Sequence, residues 1–239
     1  MDHLASCYSL CLLAALGLLL GALPVYAQDA PPTAEEDEEK TYGTGIGLEV
    51  LLTNSGFALG GYYQREVGEV TSLVIEANLG AGKNEREYKY YSRFGNGFVP
   101  NKRNYLLLLP IHLGAQQRLF AEVIEDNFRP YVHFTAGPTL GWVYPYFNDR
   151  DGNERYDEDI DRRYDIFSAF PKGKARLGVG GMIAVGANFG LSRKVTQGIR
   201  FGYAFHYFFD GIQLLEPDIT EAQQRFGTPV ISITFGRLY

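Results

Sequence analysis

Downstream of residue 27 the chain has no cysteine, since Cys7 and Cys11 are the only two among its 239 residues. That part of the protein can form no disulfide, no thiolate metal site and no cysteine nucleophile. It also lacks any apolar run approaching the roughly 20 residues a membrane helix needs. Basic charge is scarce in blocks. With 22 Lys and Arg against 28 Asp and Glu, the formal net charge is -6 and no basic stripe occurs, which argues against a nucleic-acid partner. No Ser/His/acid spacing marks an activated nucleophile, and we expect no catalytic residues, no cofactor and no resident metal.

The ends differ from the middle. Residues 1–27 read as a signal peptide, with an apolar run from Leu10 to Leu20 and Val25-Tyr26-Ala27 before the expected cleavage at Gln28. Its start departs from the usual pattern, carrying Asp2 and His3 but no Lys or Arg. Cys7 precedes the apolar run instead of following it, which speaks against a lipoprotein site. Residues 28–40 hold Pro31-Pro32 and the run Glu35-Glu36-Asp37-Glu38-Glu39 and read as an acidic, disordered linker. The folded domain is expected over 41–239.

What that domain has in abundance is alternation. Over 197–209, Ile199, Phe201, Tyr203, Phe205, Tyr207 and Phe209 share one face, while Arg200, Gly202, Ala204, His206 and Phe208 share the other. A period of two is that of a strand. The preceding stretch repeats it, with Leu177, Val179, Ile183, Val185 and Phe189 against Arg176, Gly178, Gly180, Ala184, Gly186 and Asn188. Six further strands are expected at about 42–53, 56–66, 69–80, 103–118, 129–143 and 228–239. The links near 67, 119–128 and 190–196 are short to moderate, the last containing Ser192-Arg193-Lys194. Those at 81–102, 144–174 and 210–227 are long and polar, and 54–55 is the one tight member on their side.

Short turns on one side and long loops on the other are the rhythm of a bacterial outer-membrane barrel. We therefore expect an all-β fold: an eight-stranded antiparallel transmembrane β-barrel with both termini periplasmic. A mean hydropathy of -0.15 is compatible, because only alternate residues face lipid. Aromatic residues are expected in two interfacial girdles. Tyr42, Tyr63, Phe189 and Tyr239 would mark the periplasmic boundary, and Phe57, Tyr105, Trp142, Tyr207 and Phe209 the outer one. A secreted soluble sandwich or lipocalin-like barrel would also alternate and stands as the alternative. Pro110 and Pro138 fall inside neighbouring strands with no edge to accommodate them, so a bulge or a local break is expected on their shared hairpin.

Phe128-Arg129-Pro130-Tyr131, followed by Ala136-Gly137-Pro138-Thr139-Leu140-Gly141, resembles a strand pattern of the Bacteroidota-type outer-membrane β-barrel family that includes PorT-like proteins. The stretch from Asn104-Tyr105-Leu106 to Pro110 also fits. The resemblance covers 41–239 and implies a fold and an outer-membrane location. Its motifs are structural and bring no catalytic residues. PorT-like members are associated with protein secretion, and that activity is not carried over.

The expected lumen face contains Glu49, Glu76, His112, His133, Arg176, Arg200 and His206. In so narrow a barrel, side chains fill the interior and charges must pair. These residues read first as an internal ion-pair network, with Glu49 or Glu76 the expected partner of Arg200. A gated polar path is the second reading, and a histidine general base in a lipid-modifying enzyme the third. The loop Asn148 to Asp159 superficially resembles a calcium loop, with Asp149, Asp151 and Glu158 at liganding positions around Gly152, but Phe147 at the first position cannot ligate. The expected role is structural or adhesive, or accessory to transport or secretion. The expected partners are outer-membrane lipid, the barrel-assembly machinery and secretion or surface proteins.

Overall fold

The computed structural model describes residues 43–91, 97–124, 127–190 and 195–239. The signal peptide, the acidic linker, Tyr42 and the Ser192-Arg193-Lys194 turn lie outside the described residues.

Eight long strands form the domain: β1 Thr44–Thr53, β2 Gly56–Glu66, β3 Thr71–Gly82, β4 Asn104–Arg118, β5 Phe128–Pro145, β6 Lys174–Phe189, β7 Val195–Ile212 and β8 Gln223–Leu238. Each pairs antiparallel with its neighbours in sequence, and β8 pairs with β1, so the sheet closes into a ring. The last rung is made by the chain end. Tyr239 N–H donates to the Thr44 carbonyl at 2.7 Å, and Thr44 N–H donates to the Tyr239 carbonyl at 3.1 Å.

Register fixes the barrel's girth. Glu66 N–H bonds the Gly43 carbonyl. From Glu66 the pairing runs through Ser72, Gln116, His133, Ala184, Gly202 and Val230 and returns to β1 at Thr53, a shear of ten residues from Gly43. Eight tilted strands leave an interior only wide enough for side chains to fill.

The alternation read from the sequence becomes an inside-out molecule. Leu48, Leu59, Leu113, Leu177 and Ile183 are each about 60–70% exposed on the outer wall. Glu49, Glu76, His133, Thr135, Thr139 and Ser232 are 1% exposed or less inside. A soluble barrel would put these residues the other way round, because an exposed apolar surface of this extent drives association in water. The secreted alternative is thereby overturned. The outer wall needs hydrocarbon as its solvent, and a closed ring has no unpaired edge to lose there.

The elements differ from expectation mainly at the end away from the termini, here called the loop end. There β5 and β7 each extend to Pro145 and Ile212, and β8 begins at Gln223 instead of 228. The loops are correspondingly shorter. β7 takes a register shift between Tyr207 and Ile212 against β8. Pro110 and Pro138 produce the local break without a bulge. The ladder lapses after Pro110↔Thr139 and resumes at Leu113↔Ala136 in unchanged register. Pairing of β3 with β4 skips the same level, between Ala77↔Ile111 and Gly80↔Leu108. A missing N–H is thus absorbed where the chain neither gains nor loses a residue.

Exposed aromatic residues stand at both ends but are not confined there, since Phe134, Phe201, Tyr203 and Phe205 are exposed on the wall between. Tyr63, Phe128, Phe189 and Tyr239 are exposed near the termini, and Phe57 and Phe209 near the loop end. Trp142 is covered from outside: its indole N–H donates to the Phe170 carbonyl at 3.0 Å, and the rings lie 5.7 Å apart. The segment Ile166–Lys172 therefore lies against the outer wall. Arg237, the one charge on the outward face of β8 near the chain end, lies 5.3 Å from the Tyr239 ring, a cation–π contact at a height where its head reaches water.

A closed ladder of this kind resists detergent until heated. Unboiled protein is expected to migrate differently from boiled protein in detergent gels; identical mobilities, with solubility in the absence of detergent, would contradict the closed ring.

Candidate functional site

The lumen holds the most deeply buried acidic pair among the described residues, Glu49 and Glu76. Glu49 on β1, Glu76 on β3, His133 on β5 and Arg200 on β7 all sit at inward positions of strands spaced around the ring, so their side chains converge on the axis. Arg200 pairs with Glu49 and, at 3.3 Å, with Glu76. Its Nε donates to Ser232 Oγ at 3.2 Å, and Ser232 donates on to Glu49 at 3.3 Å. Thr135 donates to the other Glu76 oxygen at 2.7 Å. His133 Nε2 stands 2.9 Å from Arg200 Nη1 and 3.2 Å from Glu76 Oε2. It can accept from the guanidinium or donate to the carboxylate, not both. One cation thus holds two carboxylates that are each 1% exposed, which a planar guanidinium with five donors does well.

His112 and His206 form a second level nearer the loop end. Their rings lie 5.9 Å apart, and His206 Nδ1 bonds Thr139 Oγ1 at 3.1 Å. His112 Nδ1 is 4.0 Å from Glu76, and its Nε2 has no protein partner. Arg176 is placed elsewhere. It keeps the inward phase of β6 but stands at the rim, 35% exposed, paired at 3.1 Å with the exposed Asp210. It belongs to an open basic basin with Arg103, Lys172 and Lys174, so its assignment to the buried network is corrected. It lies near the start of a strand that runs higher than the buried section of the barrel.

Two packed layers flank the charged level. Toward the termini, Tyr62 and Tyr131 lie across glycines; a Cβ on Gly47 would come within 2.5 Å of the Tyr62 ring and one on Gly186 within 2.8 Å of Tyr131. Toward the loop end, Leu106, Leu108, Phe208, Ile212, Leu214 and Phe226 form an apolar plug. Phe208 is fully buried, meets Phe226 edge-on at 5.7 Å, and occupies the room left by Gly141, where a Cβ would sit 2.8 Å away. Leu214 arrives from the β7–β8 link, fixed by hydrogen bonds from the N–H groups of Arg103 and Asn104 to its carbonyl. Sequence reasoning missed this plug. Phe208 was the one bulky apolar residue on an otherwise small or polar face, but the glycines that seat it belong to other strands.

The acidic loop is organised by its own backbone. Asp149, Asp151 and Asp161 bring carboxylate oxygens within 4.8 Å of one another, while Glu158 stays outside this group. All three already accept hydrogen bonds from loop N–H groups, Asp161 from Arg150 at 3.1 Å and Asp157 at 3.0 Å.

Apolar wall, polar plugged interior and closed ladder have one physical reading. The chain is a membrane-spanning barrel. No family model matches it, and no curated protein matches it. Among solved structures it is similar to Neisserial surface protein A, at 11% identity over 81% of this chain and 96% of that one, with a TM-score of 0.40. It is similar to the N-terminal barrel domain of Pseudomonas aeruginosa OprF, at 10% identity over 82% and 99%, with a TM-score of 0.39. It is similar to OprG of the same organism, at 11% identity over 83% and 96%, with a TM-score of 0.40. These likenesses are distant, and the fold stands on the barrel's own register and burial.

Proposed function

We propose that this is a non-enzymatic, integral protein of the Gram-negative outer membrane whose sealed barrel serves as a rigid mount for its loop end. In this reading the termini and short turns are periplasmic and the long loops face outward, where they act structurally or adhesively. The observation that carries it is the lumen. The Arg200–Glu49–Glu76–His133 cluster joins strands around the ring, with Tyr62 and Tyr131 packed against glycines on its terminal side, and each of these four residues is at most 4% exposed. The loop end is itself folded: Asn84 bonds Gln223 at 2.7 Å, Lys102 pairs with Glu87 at 2.6 Å, and the Arg163 guanidinium lies 4.8 Å from the Tyr156 ring and 5.9 Å from that of Tyr146. Such a crown presents a fixed surface at low entropic cost. The three lumen histidines are buried away from the lipid wall, which supports a role without catalysis. The PorT-like resemblance is kept as structural, and a secretion role would act through this crown.

Planar bilayers containing the purified barrel should show no steady conductance. A regular open-state current from the unmodified protein would overturn the sealed-lumen reading and favour the gated path.

A further inference from the structure

We propose that the loop-end half of the lumen is a binding pocket for a slender, uncharged amphiphile, an apolar body carrying one hydroxyl-type head. A cavity of about 70 Å³, open at one side, lies between the charged level and the loop end. So small a volume admits only a thin chain, with the rest of the occupant standing in the open mouth. Leu51, Ala58, Met182, Ala204 and Val230 form one buried apolar cluster on its wall. Its floor is polar, made by Glu76, Asn78, His112 and His206.

The mouth sits where the barrel wall is lowest. β1 ends at Thr53 opposite Val230, whereas β8 begins seven residues earlier at Gln223, roughly 23 Å of strand at the usual rise. Asn54, Ser55, Thr228 and Lys83 rim the opening beside that turn. An occupant can therefore enter over the β1–β2 turn without moving the plug around Phe208.

The floor selects the head group. His112 is 3% exposed, lines the pocket, and has a ring nitrogen, Nε2, with no protein partner. A hydroxyl can donate to or accept from an imidazole nitrogen. Both Glu76 oxygens are already taken, by Thr135 on one side and by Arg200 and His133 on the other. The buried level holds two carboxylates and one guanidinium, so an anionic head meets repulsion in a medium that screens it poorly.

The protein carries its own reporter, because Met182 is the only methionine besides Met1. Barrel labelled with ¹³C-methyl methionine and held in lipid nanodiscs would be titrated with 1-octanol, octane and octanoate. Octanol should shift the Met182 methyl resonance saturably. Octane and octanoate should bind about tenfold more weakly, as should octanol to His112→Phe, the factor expected for a buried group left unpaired. Ala204→Leu, which fills the pocket, should abolish the shift. If that variant lacks the heat-dependent mobility of a folded barrel, Ala58→Leu on the facing wall takes its place. A linear, non-saturating drift that survives in the filled variant shows partition into lipid and overturns the pocket. Equal binding of octanol and octane, or tighter binding of octanoate, overturns the assigned head group.

Discussion

Arg200→Met is expected to destabilise the barrel by about 3–5 kcal/mol, the cost typical of stripping one partner from a buried ion pair. Methionine matches the aliphatic stem of arginine, so the stem's packing is kept while the guanidinium and its hydrogen bonds are lost. What remains is Glu49 and Glu76, each 1% exposed, with no cation between them. Urea unfolding in lipid vesicles, followed by the gel-mobility difference, measures the loss. The control is Arg176→Met, which removes a rim pair whose members are 35% and 70% exposed and should cost at most about 1 kcal/mol. Adding Glu49→Gln and Glu76→Gln to Arg200→Met should recover much of the stability, because the uncompensated charges then disappear. Equal effects of the two arginine substitutions would show that the buried cluster does not hold the lumen.

Removal of Phe235–Tyr239 should leave export intact but prevent accumulation in the outer membrane, with the protein degraded in the periplasm. These residues supply the final rungs between β8 and β1, from Leu48↔Phe235 to Gly45↔Leu238, and the reciprocal bonds of Tyr239 with Thr44. They also cover β7 at Gln197, Thr196 and Val195. Without them both flanking strands present free backbone groups to hydrocarbon, at several kcal/mol each. A terminal aromatic on an apolar strand face also suits recognition by the assembly machinery, so the defect has a kinetic and a thermodynamic part. Extending the chain beyond Tyr239 should give a milder version. Normal outer-membrane levels of the truncated protein in fractionated cells would sink this account of closure.

The sequence by itself determined the strand count and, for most strands, which residues face the lumen. Those properties follow from a period of two, which is local: Leu48 and Glu49 differ in face because they are neighbours. Strand ends were less legible. β5, β7 and β8 continue beyond the apolar alternation into the loop end, where pairing with the next strand, not lipid, sustains them. The ionic partners of Arg200 could be narrowed to two carboxylates, because buried charge must be neutralised and few acids share its face. Tertiary structure alone decided that it takes both, since the shear of the ring sets which inward residues meet at one height. It also decided that Arg176 stands at the rim, that Phe208 is seated on a glycine of another strand, and that Asp161 instead of Glu158 joins Asp149 and Asp151. Height along the barrel axis and approach across strands depend on register between segments far apart in the chain, and no local periodicity encodes that register.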